Sequence, residues 1–335
     1  MGAESGSLEE MGIRRTGMKT VSIVIPTYNE EENIALVTEA VIKEIQTNLA
    51  QYDYEILIID NASTDQTQPI IRDLCKQNKK IKAIFNEKNF GPDSSPYYGL
   101  LQASGDCAIL FCADFQDPIE MIHKLVYEWE KGYNVVMAIK TESKENKFVR
   151  FMRTVYYKLI QHISDTEIIE HFTGFGCYDS SFLDVLRDLD DPVPFLRGVV
   201  AEFAGNRTSI TYEQQKRRAG KSHIKFFTLY DMAMRSFTSY TKVGLRMCTF
   251  FGFFIAILSV IIAVVYLIRK LVDWNAFDMG IPVILIGMFF LGAVQLIFMG
   301  FMGEYILSIN RRLMKRPLVI EHERINFDNK SKEEK

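Results

Sequence analysis

A carboxylate and an amide two positions apart are the side chains in this sequence best suited to chemistry. Asp114 and Gln116 follow the apolar run 108–111, which is typical of a buried strand. Oxygen atoms of both side chains could bind one hard divalent cation, Mg²⁺ or Mn²⁺, that also holds a diphosphate. An ordinary Asp-rich turn at a strand end would have the same composition. The surrounding sequence is therefore needed to distinguish a metal site from a turn.

Two earlier apolar runs, 21–26 and 54–60, end in a similar way. The polar or turn-forming residues at these two ends are Pro26, Tyr28, Glu30, Asp60 and Asn61. Because the carboxyl ends of parallel strands lie at one edge of a sheet, we expect all three groups to face the same ligand.

The elements that must position these residues alternate along the chain. Strands are predicted at 21–26, 54–60, 81–85, 107–112 and 135–139, and helices at 31–46, 67–77, 96–103 and 118–131. This alternation indicates an α/β fold with a mostly parallel sheet covered on both faces. Farther on, we predict a basic helix at 147–163, a Gly-rich turn at 173–179 and an edge strand at 208–212.

Two stretches near the C-terminus, 247–268 and 279–303, carry no charged residue. At about 1.5 Å per residue, each is long enough to cross a hydrocarbon core of about 30 Å. A buried core helix is the alternative, but such runs are rare in soluble domains. Basic residues flank the pair on its outer sides, at Lys242, Arg246, Arg311 and Arg312. The positive-inside rule therefore places both ends of the chain in the cytoplasm.

A basic and aromatic segment precedes the first apolar stretch. The range 224–237 carries an aromatic stripe at helical spacing and has basic neighbours, which favours an amphipathic helix lying on the bilayer over a core helix. The basic residues between 216 and 246 could form a solvated face, but beside a membrane span they more often meet anionic lipid.

Composition excludes several classes of function. The net charge of −3 over 335 residues gives no reason to expect nucleic acid as a partner. The five cysteines are scattered without zinc-binding spacing and fit a reducing compartment. Residues 1–19 are polar, without the apolar core of a signal peptide, and we interpret them as a disordered tail.

The runs 21–31 and 54–65, the segment 86–91 and the Asp114 segment together resemble the inverting family-2 glycosyltransferases of GT-A fold. Within that family the sequence is most similar to the polyprenyl-phosphate glycosyltransferases, such as dolichol-phosphate mannose synthase and the bacterial undecaprenyl-phosphate enzymes. The resemblance extends over about residues 20–327.

The resemblance implies a donor site at the strand ends. The nucleotide-binding residues would be Pro26, Tyr28, Glu30, Asp60, Asn61 and Gly91. Glu30 would accept from ribose hydroxyls, and Asp60 would accept from the imide N–H of uracil. Asp114 and Gln116 would hold the Mg²⁺ or Mn²⁺ ion. Cys112 stands where the family usually has another acidic residue; a thiol is a poor ligand for Mg²⁺, so this metal is held either without it or more weakly.

The resemblance also implies an acceptor site and a mobile loop. The acceptor phosphate would meet Lys140, Arg150, Arg153 and Ser222, although a solvated basic helix would give the same pattern around 147–163. Arg217, three residues before Gly220, would close over the donor diphosphate. Asp117 either caps the helix beginning at Pro118, which we favour slightly, or positions the acceptor.

The expected protein is an integral enzyme of the cell (inner) membrane with two spans, and with its catalytic domain and both termini in the cytoplasm. It would transfer a sugar from a nucleotide sugar, UDP-linked in our expectation, to undecaprenyl phosphate or a related lipid for modification of cell-envelope glycans. No side-chain nucleophile is required, because a phosphate monoester is already anionic. A polysaccharide-elongating glycosyltransferase and a catalytically weak membrane adaptor are the alternatives. A homo-oligomer is possible, but the oligomeric state cannot be inferred from the sequence. The sugar itself cannot be inferred from these residues.

The expected organisation is a tail at 1–19, a GT-A catalytic domain at 20–215, and a mobile loop with juxtamembrane amphipathic helices at 216–243. Transmembrane helices would follow at 244–270 and 279–306, and a cytoplasmic tail at 307–335.

Overall fold

An eight-stranded mixed sheet lies at the centre of the computed structural model, which describes residues 17–141, 169, 171–189, 191–192, 194–215, 243–272, 281–314 and 316–327. The strands are β1 (Thr20–Thr27), β2 (Asp53–Asp60), β3 (Ile81–Asn86), β4 (Cys107–Leu110), β5 (Val135–Thr141), β6 (Phe172–Asp179), β7 (Arg207–Glu213) and β8 (Glu321–Ile325). Their order across the sheet is β7-β5-β6-β4-β1-β2-β3-β8. Strands β4, β1, β2 and β3 are mutually parallel, as are β5 and β7, whereas β6 and β8 run antiparallel to their neighbours.

Helices cover the sheet and connect its parallel strands. These are α1 (Ile34–Asn48), α2 (Thr67–Gln77), α3 (Gly91–Gln102), α4 (Met121–Trp129), α5 (Ser180–Leu189) and α6 (Leu196–Phe203). Two long helices follow, α7 (Val243–Val272) and α8 (Ile281–Leu313). The expected α/β fold with a mostly parallel sheet is confirmed.

Two hydrophobic cores fill the two faces of the sheet. On β2, Ile56 and Ile58 belong to one core, and Leu57 and Ile59 belong to the other. Because a strand covered on both faces buries side chains on both sides, the centre of β2 appears in the sequence as a continuous apolar run at 56–59. Gly99 brings α3 close to the sheet, since a Cβ atom there would lie 2.7 Å from Val24 Cγ1.

The prediction of a Gly-rich turn at 173–179 is wrong, because these residues form most of β6, an inner strand between β4 and β5. Gly176 is required for close strand approach: a Cβ atom there would lie 2.6 Å from the Val136 carbonyl oxygen. Gly174 has a φ of +101°, a conformation that favours glycine. Both glycines therefore serve a buried strand, and Phe175 packs edge-on against Phe111 with ring centroids 5.6 Å apart.

Several predicted boundaries also shift. Helix α3 begins at Gly91 instead of 96, and β4 ends at Leu110 instead of 112. Helix α4 begins at Met121, with Glu120 as its N-cap, so the interpretation of Asp117 as the helix cap is wrong. The Asp117 carboxylate instead accepts a hydrogen bond from Tyr212.

The long helices α7 and α8 pack against each other, with the rings of Phe251 and Phe298 6.5 Å apart. Among the described residues, one helical segment is long and apolar enough to cross a membrane, Phe290–Asn310 in α8, and none of its most apolar stretch is buried in the protein.

Strand β8 returns the chain to the sheet after these helices. It pairs antiparallel with β3, and Arg72 forms an ion pair with Glu323. The Asn326 side chain donates to the carbonyl oxygens of Cys75 and Ile81, at 2.8 Å each. The range 307–335, expected to be a tail, therefore contains the end of α8 and one strand of the sheet.

Candidate functional site

The loops after β1 and β2 are joined by hydrogen bonds. The Asn29 backbone N–H donates to Ser63 Oγ at 2.9 Å, and its side-chain oxygen accepts from the Thr64 N–H at 2.8 Å. The Glu30 N–H donates to Thr67 Oγ1 at 2.9 Å. These contacts join the two loops to each other.

Left-handed backbone conformations occur in the loop after each of three neighbouring strands. Asn29 follows β1, Ala62 follows β2 and Phe115 follows β4, with φ angles of +54°, +61° and +58°. Such conformations cost free energy in non-glycine residues and are concentrated at binding sites. The strain marks this edge of the sheet as the functional one.

Asp60, the last residue of β2, has one carboxylate oxygen that accepts hydrogen bonds and one that receives none from the described residues. Its Oδ2 accepts from the Ser63 N–H at 3.0 Å and from Gln68 Nε2 at 2.8 Å. Its Oδ1 is buried and has no hydrogen-bond partner within the described part of the chain. Burial raises the pKa of this carboxyl, and the bonds from Ser63 and Gln68 oppose the shift. A buried acceptor without a donor is costly, so Oδ1 is suited to a ligand N–H group.

The predicted residues on the β1 side lie beside Asp60. The register pairs Thr27 with Asp60, and Pro26 and Tyr28 on either side of Thr27 are half-buried. Glu30 is 7% exposed, and its Oε2 accepts from Asn33 Nδ2 at 2.7 Å.

Asn61 positions the loop after β3. Its Oδ1 accepts from the Phe90 N–H at 2.9 Å, and its Nδ2 donates to Asn89 Oδ1 at 3.0 Å and to the Gly91 carbonyl at 3.1 Å. Gly91 has a φ of +91°, which favours glycine at the start of α3. The Asn61 side chain therefore holds the loop after β3 in place beside the site.

Asp114 lies in the loop after β4, where β4 is paired with β1. Its side chain is half-buried, and its Oδ1 accepts from the Gln116 N–H at 3.1 Å. The Cys112 residue two positions earlier is exposed. Asp60 and Asp114 are therefore at the carboxyl ends of strands on either side of β1.

The end of β7 is bonded to the same loop. The Gln215 N–H donates to the Gln116 carbonyl at 3.0 Å, and Gln214 Nε2 donates to Gln116 Oε1 at 2.9 Å. Tyr212 donates its hydroxyl hydrogen to Asp117 Oδ1 at 2.5 Å. Three hydrogen bonds thus fix the Asp114 loop from the β7 side.

Asp117 is 4% exposed, and burial raises the pKa of its carboxyl. The bond from Tyr212 and the charge of Lys140 oppose this shift. Lys140 is half-buried near the carboxyl end of β5, in register with Tyr212.

The donor set fits a divalent cation held largely by a substrate. Within the described residues no group of three or more His, Cys, Asp or Glu side chains could enclose a metal ion. Asp114 and Gln116 instead offer a carboxylate and an amide, both with hard oxygen atoms. Mg²⁺ is commonly bound through one or two carboxylates, water and substrate phosphates, so this pair is adequate when a diphosphate supplies further oxygens.

The structure thus brings most of the predicted site residues to one edge of the sheet, from β2 through β1 and β4 to β5. Arg150, Arg153, Arg217 and Ser222 lie outside the described residues, as do most of the predicted mobile loop and juxtamembrane helices. Sequence reasoning missed Ser63, Gln68, Tyr212 and Gln214. The nearness of Ser63 and Gln68 to Asp60 in sequence was an available signal for two of them.

Comparisons with known proteins agree on one family. Residues 22–186 match the family described as glycosyl transferase family 2. The bactoprenol glucosyl transferase of Shigella phage SfII is 32% identical over 301 residues, covering 90% of this chain and 96% of that protein. The prophage bactoprenol glucosyl transferase homolog of Escherichia coli K12 is 29% identical over 301 residues, covering 90% and 97%.

Among solved structures, glucosyl-3-phosphoglycerate synthase from Mycobacterium tuberculosis, in complex with Mn²⁺, UDP-glucose and phosphoglyceric acid, aligns with a TM-score of 0.44. It is 18% identical, and the alignment covers 66% of this chain and 78% of that one.

Proposed function

Because the chain belongs to glycosyl transferase family 2 and is a glycosyltransferase, we propose that it transfers a sugar from a UDP-linked donor to a polyprenyl phosphate. The product would be a lipid-monophosphate-linked sugar with inverted anomeric configuration. Relatives named bactoprenol glucosyl transferase, similar over nine-tenths of the chain, support a polyprenyl acceptor.

The free oxygen of Asp60 is the single observation that carries the donor assignment. Uracil presents one N–H group on its base-pairing edge, and Asp60 Oδ1 is one buried acceptor without a donor in the described structure. Glu30, on the adjoining loop, would accept from the ribose hydroxyls. The loops after β1, β2 and β4, each with one residue in the left-handed conformation, would keep these groups in place.

The chain needs only to position its substrates and stabilise charge. The lipid phosphate is already anionic, so its oxygen can attack the anomeric carbon without a protein base, and the bond to the nucleoside diphosphate breaks on the opposite face. Asp114 and Gln116 would hold a Mg²⁺ or Mn²⁺ ion. Such an ion would neutralise negative charge on the departing diphosphate. Tyr212 and Gln214 would keep the Asp114 loop aligned through Asp117 and Gln116.

On the acceptor side, Lys140 is the described residue that supports binding of the lipid phosphate, because it contributes a cation near the carboxyl end of β5. We assign Arg150, Arg153 and Ser222 to the same phosphate, and Arg217 to the donor diphosphate, on their positions in the sequence.

The membrane arrangement is part of this proposal. Segment Phe290–Asn310 of α8 supports one membrane span, and α7, which packs against α8, would supply a second. The basic residues that flank the two apolar stretches on their outer sides support a catalytic domain on the cytoplasmic side of the cell membrane. A product made there is suited to modification of cell-envelope glycans.

A reconstituted transfer assay tests the proposal. The full chain in lipid nanodiscs would be incubated with undecaprenyl phosphate, Mn²⁺ and a panel of UDP-sugars, and the lipid product would be identified by mass spectrometry. We expect a lipid-monophosphate sugar from at least one donor. Sugar chains formed without a lipid monophosphate intermediate would favour a polysaccharide-elongating enzyme, and no turnover with any donor would favour the membrane adaptor.

A further inference from the structure

Gln68 lies in the first turn of α2 and contacts the carboxylate proposed to read the donor base. Its Nε2 donates to Asp60 Oδ2 at 2.8 Å and lies 3.4 Å from the Ser63 carbonyl oxygen. The Ser63 N–H donates to the same Asp60 oxygen at 3.0 Å. Gln68 thus joins the strand end to the loop that follows it.

The two Asp60 oxygens are consequently unequal. Oδ2 has two N–H donors, whereas Oδ1 is buried and has no donor from the described residues. A carboxylate can rotate about its bond to Cβ, and this rotation exchanges the environments of its oxygens. The donor pair opposes intermediate orientations, because any position between the two equivalent ones would leave the Ser63 and Gln68 N–H groups without an acceptor.

We propose that Gln68 is a positioning residue for donor-base selection, which fixes Asp60 so that Oδ1 alone faces the base. This inference rests on the proposed function, because it assumes a uracil nucleotide as donor. An acceptor fixed in place selects uracil over cytosine, since uracil offers an N–H at N3 and cytosine offers a lone pair there. A carboxylate free to turn would select less sharply.

The hydrogen bond from Gln68 also affects the ionisation of Asp60. Burial raises the pKa of the Asp60 carboxyl, and the nearby charge of Asp65 raises it further. The hydrogen bond from Gln68 opposes both effects and favours the ionised form. Gln68 therefore supports both the orientation and the acceptor character of Asp60.

Binding of UDP and CDP to the full-length protein tests this inference. Gln68→Met keeps the length and helix-forming tendency of the side chain but removes its N–H donor. We expect it to weaken UDP binding by about tenfold and to reduce the preference for UDP over CDP. In the transfer assay, KM for the donor should rise while kcat at saturation changes little, because Gln68 lies at the base end. Gln77→Met, at the exposed end of the same helix, is the matched control and should leave both measurements unchanged.

A double-mutant cycle with Asp60→Asn separates positioning from loss of structure. If Gln68 acts through Asp60, Gln68→Met should have little further effect on base preference in the Asp60→Asn protein. Equal effects in both backgrounds, or an unchanged UDP:CDP ratio in Gln68→Met, would overturn the inference. Failure of the wild-type protein to bind UDP would instead contradict the proposed function.

Discussion

Cys112 and Asp114 differ in what they can offer a divalent cation. Asp114 provides a carboxylate in the loop after β4, whereas Cys112 provides a thiol, which binds Mg²⁺ poorly. The residue types at the site were predictable from sequence, because each follows an apolar run. The hydrogen bonds of Gln214 and Tyr212 to this loop were not, because they join positions about 100 residues apart and depend on the register of the sheet.

Replacing Asp114 by Ala should reduce sugar transfer by a factor on the order of 10² or more, because it removes the one carboxylate proposed to hold the cation. Transfer by purified protein over a range of Mn²⁺ concentrations measures this. Glu120→Ala, an exposed change six positions later, is the control and should retain activity. Turnover of Asp114→Ala near the wild-type rate would refute the metal assignment.

Substitutions at Cys112 should show whether its thiol binds the metal ion. Cys112→Ser should leave the Mn²⁺ concentration for half-maximal transfer nearly unchanged, whereas Cys112→Asp should lower it by adding a carboxylate. Wild-type protein loaded with Co²⁺ should lack a sulfur-to-metal absorption band. A band that disappears in Cys112→Ser would show that the thiol binds the metal.

At the scale of the elements, the end of the sheet opposite the site contains a buried polar network. Glu55 accepts from Ser22 Oγ at 2.6 Å, from the Ser104 N–H at 2.6 Å and from its hydroxyl at 2.7 Å, and Lys82 forms an ion pair with it at 2.5 Å. The parallel strands were predictable because they are mostly apolar and alternate with helical patterns. Strand β6 was not, because its two glycines are typical of turns and their role depends on tertiary contacts.

Gly105→Ala should destabilise the protein by about 1–3 kcal/mol, because a Cβ atom there would lie 2.6 Å from Ser22 Oγ and 2.7 Å from the Thr20 carbonyl. Thermal unfolding of the detergent-purified chain would show a lower midpoint. Gly205→Ala, at a position with open space around its Cβ, is the matched control. Equal midpoints for the two variants would contradict this account of the strand contact.

Glu55 should contribute stability that depends on pH. Burial alone would raise the pKa of its carboxyl, but the bonds from Lys82, Ser22 and Ser104 together lower it below the ordinary value. A lowered pKa means that the contribution is complete above about pH 4.3 and disappears as the pH falls through the folded-state pKa. The stability difference between wild type and Glu55→Gln, measured by unfolding at a series of pH values, should therefore shrink in acid. A difference that stays constant with pH would contradict this.

At the scale of the whole molecule, the catalytic sheet is built from two parts of the chain separated by α7 and α8. Strand β8 covers the β3 edge, Leu318 and Phe327 pack on one core, and Ile325 packs on the other. The sequence predicted the two long apolar helices, but β8 is a short, charged segment, Glu321–Ile325, without the apolar pattern of a buried strand. It forms a strand because it pairs with β3.

A chain ending at Met314 should therefore unfold at a midpoint lower by about 5 °C or more, because the β3 edge and both cores would lose their contacts with 316–327. A chain ending at Phe327 lacks only the residues after the described segment and serves as control. Thermal unfolding in detergent compares them. Identical midpoints would show that β8 adds no stability.

The place of β8 in the chain also sets an order of events during biosynthesis. Translation produces α7 and α8 before residues 321–325 exist. The sheet therefore reaches its full width only after both proposed membrane helices have been made. A nascent chain that already contains α7 and α8 still has an open β3 edge, which residues 321–325 then close.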